Sequence, residues 1–139
     1  MTIWIRHIDG NVEDFGTVTE AQAVERFQSH DWDAELADYD PEKDGPDHCL
    51  PSFGIVDGEA ASCDLTPFNE GSCKVNLYFH KPGKLFGIFP IKKNVWEYLP
   101  NYPRTSFQAV VALFYARDIN GLCQLIEQER GTLGTLRKS

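Results

Sequence analysis

Long apolar runs are missing from this chain. The longest, AVVALFYA from Ala109 to Ala116, is too short to span a bilayer, which takes roughly 20 apolar residues in a helix. The opening MTIWIRHIDG has neither the basic start nor the apolar stretch of an export signal. A soluble, cytoplasmic protein is therefore expected. Cysteine pairs at metal-ligand spacing are missing too. Cys49, Cys63, Cys73 and Cys123 are separated by 14, 10 and 50 residues, with no C-x-x-C. Reduced, structural thiols are the expectation, with a zinc set of His48, Cys49, Cys63 and His80 as the alternative.

Catalytic signatures are absent as well. There is no G-x-S-x-G elbow, and the phosphate-cradling patterns G-x-x-x-x-G-K-[ST] and G-x-G-x-x-G do not occur. His7, His30, His48 and His80 are scattered, without H-x-x-x-H or H-E-x-x-H spacing. No enzyme is expected. Lys74, Lys81, Lys84, Lys92 and Lys93 interleave with Tyr78, Phe86 and Trp96, as in a single-strand groove. A net charge of −8 opposes approach to phosphate, however, so no nucleic-acid partner is expected.

Basic residues are scarce in one half only. Residues 1–70 hold 17 acidic and 3 basic side chains, whereas residues 71–139 hold 4 acidic and 10 basic. Eight carboxylates and one lysine fall between Asp31 and Asp47. Within that stretch, DYDPEKDGPDHC resembles the start of a calcium loop, with Asp40, Glu42, Asp44 and Gly45 at ligand and turn positions. The closing ligand position is Pro51, which has no oxygen to offer, and Pro41 and Pro46 stiffen a loop that must curl. The calcium reading fails. What remains is an acidic surface, either solvated or shaped for a cationic partner.

The patterning predicts an α+β domain over residues 1–139. TIWIRHI reads as a strand closed by the Asp9-Gly10 turn, and Thr19 with Gln22 forms a capping box opening a helix to about Ser29. A short helical turn follows from Trp32 to about Tyr39. A β-meander of about four to five antiparallel strands is predicted from Ser52 to about Tyr98. In it SFGIVDGEAASCDLT turns at Asp57-Gly58, and Cys73, Val75, Leu77 and Phe79 share the inner face of the next strand. Pro82-Gly83 reads as a turn, KLFGIFPI as a covered strand and NVWEYL as a further one. Thr105 and Gln108 form a second capping box, and Asp118 caps a last helix carrying Ile119, Leu122, Cys123 and Ile126. These two helices are expected to form a hairpin on the sheet, with residues 131–139 frayed.

A small acidic α+β chain with this segment and no catalytic motif resembles the immunity proteins of bacterial toxin systems, which are barstar-like in role. The resemblance is one of type. It implies a protein-binding inhibitor that occludes a cognate toxin domain, often a basic nuclease, and that needs no cofactor or metal. It also implies that carboxylates such as Asp33, Glu35, Asp38 and Asp40 stand in for substrate phosphates, with Trp32 and Tyr39 as anchors and Glu42 and Asp44 in the same partner-binding surface. Two alternatives stay open. One is an enzyme or small-ligand domain with a pocket between the sheet and the C-terminal helices, using His80, Tyr78 or Trp96. The other is a cytosolic adaptor or regulatory domain.

Overall fold

A computed structural model of the chain describes residues 1–38 and 50–138, with backbone alone at residue 85 and from 131 onward. Alternating apolar residues build a six-stranded antiparallel sheet. Its strands are β1 (Thr2–Arg6), β2 (Val12–Thr17), β3 (Ser52–Asp57), β4 (Ala61–Pro67), β5 (Ser72–Leu85) and β6 (Phe89–Pro103). They pair in the order β2-β1-β3-β4-β5-β6, so a meander of four strands is extended by an N-terminal hairpin. Helices α1 (Glu20–Ser29) and α2 (Trp32–Ala37) connect β2 to β3. After β6 a single 3-10 turn (Arg104–Ser106) leads into α3 (Phe107–Tyr115) and α4 (Ile119–Lys138). Among the described residues no helix is long and apolar enough to cross a membrane.

The inner face of the sheet carries Ile3, Ile5, Phe53, Ile55, Cys63, Leu65, Val75, Leu77 and Phe79, all buried. Against it lie Ala23 and Phe27 from α1, Trp32 from α2, and Phe107, Val110, Val111 and Phe114 from α3. The last four follow the i, i+3, i+4, i+7 spacing that puts one stripe of a helix on the core. Phe27 meets all three parts. Its ring stacks on Phe107 at 4.2 Å, stands edge-on to Phe53 at 5.5 Å and lies 5.3 Å from Trp32. The Trp32 indole N–H donates to the Phe27 carbonyl at 2.9 Å. Trp32, expected as a partner anchor, is a core residue here, buried and with its N–H satisfied inside the protein.

The Thr19–Gln22 capping box forms as expected, with both reciprocal hydrogen bonds present. Asp118 accepts from Gly121 N–H at 2.9 Å at the start of α4. Four expectations are corrected. The sheet has six strands where four to five were predicted. The uncounted one, VEDFGT, is an edge strand with little buried surface, so it lacks the alternation that betrays a half-buried strand. Pro82-Gly83 is not a turn, because β5 runs on to Leu85. Past Tyr78 it has lost its β4 neighbour, and a residue without an N–H is tolerated there. The chain reverses instead at Phe86 and Gly87, both at positive φ, so KLFGIFPI forms the tip of a projecting two-stranded ribbon rather than a covered strand. Thr105 makes no capping bond: residues 104–106 form a 3-10 turn, and α3 starts at Phe107 without a side-chain cap. The backbone of α4 continues to Lys138, through the segment expected to fray.

Two long-range ties close the domain. Arg117, at φ 53°, donates to both oxygens of Asp57 at 2.7 and 3.1 Å, joining the α3–α4 turn to the β3–β4 turn. The Tyr115 hydroxyl donates to the Val18 carbonyl at 3.1 Å. If Trp32 belongs to the core, Trp32→Ala should destabilise by about 3–5 kcal/mol, whereas Asp38→Ala, on the exposed end of α2, should stay within about 0.5 kcal/mol. Urea unfolding followed by circular dichroism measures both.

Candidate functional site

Among the described residues the helices lie on one face of the sheet, and the other face is formed by the sheet's own side chains. Antiparallel register stacks these in rows across the strands. One row runs Asp14, Trp4, Gly54, Asp64, Asn76, Tyr98, and the next runs Thr2, Val56, Ser62, Tyr78, Trp96. Over β3 the face closes on itself. The Trp4 indole lies where a Gly54 Cβ would be, 2.0 Å from that position, so only glycine fits beneath it. Arg6 reaches along Trp4, 5.9 Å from the ring centroid, and donates to Ser52 Oγ at 3.1 Å; Ser52 Oγ in turn meets Thr66 Oγ1 at 2.8 Å.

Toward β6 the face opens into a shallow cleft of about 330 Å³ lined by Ser62, Asp64, Asn76, Tyr78, Trp96 and Tyr98. Trp96 is 72% exposed and Tyr98 47% exposed, and the Tyr78 ring lies 4.0 Å from that of Trp96. Asp64 sits on the cleft floor. Burial pushes its carboxyl above the ordinary carboxylate pKa, and the charge of Arg6 only partly draws it back. Its carboxylate accepts no side-chain hydrogen bond among the described residues. A half-buried carboxylate walled by aromatic faces suits a positively charged or strongly donating group, which would gain both the ion pair and the ring quadrupoles.

The same edge continues into the ribbon. Past the end of β4, residues Phe79–Leu85 and Phe89–Val95 pair only with each other. The tip exposes Phe86, Ile88 and Phe89, beside Lys81, Lys84, Lys92 and Lys93. Under the ribbon, on the helix side, a cavity of about 400 Å³ has an apolar floor of Phe79, Phe114 and Leu122 and the Asp57–Arg117 pair at its margin. The pocket expected between sheet and C-terminal helices is therefore present, with His80 in its lining. Tyr78 and Trp96 are not in it; they belong to the cleft on the opposite face.

The acidic residues read from the sequence are dispersed in role. Tyr39, Asp40, Glu42 and Asp44 lie outside the described residues, as do His48 and Cys49 of the alternative zinc set. Asp33 is paired with Arg104 at 2.9 Å, and Arg104 also donates to the Asn69 carbonyl at 2.8 Å. Asp38 is exposed at the end of α2. Glu35 is half-buried between two histidines. His7 Nδ1 lies 3.1 Å from its Oε1, His30 Nε2 bonds its Oε2, and Ile8 N–H donates to Oε1 at 2.9 Å. Burial would raise the Glu35 carboxyl, but His30 and the Ile8 N–H outweigh it and the pKa falls. Burial would likewise lower His7, but Glu13 and Glu35 outweigh it and the pKa rises. His7, His30 and Glu35 each place one donor atom within 4.8 Å of the other two, and these three could hold a metal ion. Cys63 and Cys73 are buried free thiols with pKa values pushed up by burial, Cys73 to about 11.

Sequence reasoning noticed Tyr78 and Trp96 but assigned them to nucleic acid or to a pocket, and it passed over Asp64. The signal for Asp64 was its place in SCDLT, a charged residue inside an apolar alternation. Compared with protein-family models, with curated proteins and with solved structures, the chain matches none.

Asp64 yields a pH-dependent expectation. Its folded pKa lies above the ordinary 3.8, so the fold favours the protonated form and carries a penalty once the group ionises. Asp64→Asn should therefore be more stable than the parent at neutral pH. The gap should shrink as pH falls through the carboxyl's titration and vanish below about 3.8. Thermal melts of both proteins across pH 3–8 measure it.

Proposed function

We propose that the protein binds a partner protein through the uncovered sheet face and acts on it as an inhibitor of the immunity type. The observation that carries this reading is Asp64, a half-buried carboxylate whose burial disfavours its charge and which shares a cleft with Tyr78 and the exposed Trp96. A half-buried carboxylate whose burial outweighs its attraction to Arg6 weakens the fold when ionised, and groups of that kind cluster where ligands bind. A basic side chain of the partner, entering between Trp96 and Tyr98, would add a nearer counter-charge than Arg6 gives, and the exposed aromatics would anchor it. This keeps the expected basic toxin domain as the partner class but moves the contact from α2 to the sheet. Asp33 and Glu35 are already engaged within the protein, which leaves them less free to mimic phosphates.

The cavity beneath the ribbon supports a second reading, a small-ligand domain, because its floor is apolar and its margin is charged. A ligand there should raise the melting temperature of the parent and not that of Leu122→Trp, which fills the space.

The partner reading is tested with four baits side by side: the parent, Trp96→Ala, Asp64→Asn and the double variant Asp33→Asn/Asp38→Asn. The expected result is a basic protein held by the parent, with its toxic activity blocked at one-to-one ratio. Trp96→Ala should raise the Kd about 30-fold, the roughly 2 kcal/mol of a central aromatic anchor, without unfolding the protein. Loss of binding in the Asp33/Asp38 variant alone would return the interface to the acidic end. A partner with no activity to block would remove the inhibitor role.

A further inference from the structure

His7, His30 and Glu35 come from three separate elements: the residue after β1, the C-cap of α1 and the middle of α2. Their donor atoms converge at part-buried positions, with side-chain exposures of 25%, 18% and 16%. Only the fold brings His7 to the other two, since 28 residues separate it from Glu35, whereas His30 lies five residues before Glu35. Each is held from behind. Glu35 Oε1 is fixed by the Ile8 N–H at 2.9 Å, and the His30 ring packs 4.2 Å from that of Trp32. His7 is held at its far nitrogen, Nε2, by Glu13 Oε1 at 2.5 Å.

The Glu13 contact sets the chemistry. Glu13 Oε1 accepts from His7 Nε2, which leaves Nδ1 facing Glu35 Oε1 at 3.1 Å; in the neutral ring that nitrogen carries a lone pair a metal can take, and in the protonated ring it donates to Glu35. A metal ion there would take the place of the proton otherwise held between the two atoms. A carboxylate on the outer nitrogen of a histidine is also the usual way of fixing a ligating imidazole and raising its basicity. We propose that His7 Nδ1, His30 Nε2 and a Glu35 oxygen bind one zinc ion, with Glu13 as the positioning residue for His7. Two imidazoles and one carboxylate form a His₂Glu donor set for tetrahedral zinc, with ligand distances of about 2.0–2.2 Å and a fourth position left for water. Donors within 4.8 Å of one another reach that geometry by small side-chain rotations. The ion would staple the β1–β2 turn to α1 and α2. This site is separate from the sheet face and does not depend on the partner reading.

The experiment uses the full chain after chelator treatment, titrated with zinc alone by calorimetry and with cobalt(II) by visible absorption. The expected result is one zinc per chain, a raised melting temperature, and the intense d–d bands of four-coordinate cobalt. His7→Ala and Glu35→Gln should weaken binding by at least about a hundredfold. Glu13→Gln, at a largely exposed side chain that the fold does not need, should weaken it about ten- to hundredfold. His80→Ala, remote from the site, should leave it unchanged. Absence of saturable binding would overturn the proposal. So would zinc bound with parent affinity by both Glu13→Gln and Glu35→Gln, which would place the ion elsewhere on the chain.

Discussion

The ring of Phe27 is the contact on which the rest of the domain depends. It joins the first helix to the sheet through Phe53, to the C-terminal helices through Phe107 and to α2 through Trp32. α1 and α3 meet over that part of the sheet, and Phe27 is where the two also meet Phe53 and Trp32. Among the described residues the helical cover is thereby gathered on one face. The opposite face must then be finished by side chains alone, and it is finished only over β3, where Trp4 lies on Gly54. Toward β6 it is left open, and the exposed Trp96 follows directly from that one-sided packing.

The charge asymmetry of the sequence becomes a polarity in space. β1 ends, and α2 begins, at the end of the sheet that holds Asp9, Glu13, Asp33, Glu35 and Asp38. The ribbon projects from the other end, with Lys81, Lys84, Lys92 and Lys93. Much of the acidic charge is spent locally: Asp31 caps α2, Asp33 meets Arg104, and Glu35 meets two histidines. Surface pairs of this kind contribute little individually. Their consequence is rather that the number of carboxylates in a segment overstates the charge it presents to a partner.

What was legible in the sequence was whatever depends on neighbours a few residues away. The Thr19–Gln22 box, the alternation of Cys73 through Phe79 and the stripe from Phe107 to Phe114 are all set by local spacing, and all appear in the fold. The strand VEDFGT was not legible because an edge strand buries too little to leave a pattern. The turn was placed at Pro82-Gly83 because local chemistry there does favour one, and only the loss of the β4 neighbour makes an extended Pro82 acceptable. Trp32 looked like an anchor because it sits among carboxylates in sequence, while in space it sits among phenylalanines. The candidate site was the least legible part. Asp64 and Trp96 meet only through strand register, and His7 meets His30 only through the packing of α1 and α2 against the β1–β2 hairpin.

Three features run against the local rules that stabilise a fold, and they share one side of the molecule. Asp64 is a carboxylate that burial opposes, Phe86 is a bulky residue in the left-handed region, and β6 is a long edge strand that leaves its aromatics in water. Each alone would lower stability or invite association, and a sequence shaped by folding alone has little reason to keep them. Their placement on the cleft, the tip and the strand that joins them makes one continuous surface. Conflicts between local preference and fold collect where a protein does something other than fold. The helical side of the molecule buries its apolar stripes, and its own left-handed residue, Arg117, is held by both oxygens of Asp57. That contrast, rather than the abundance of acid in the sequence, is the physical reason to look for the partner on the sheet.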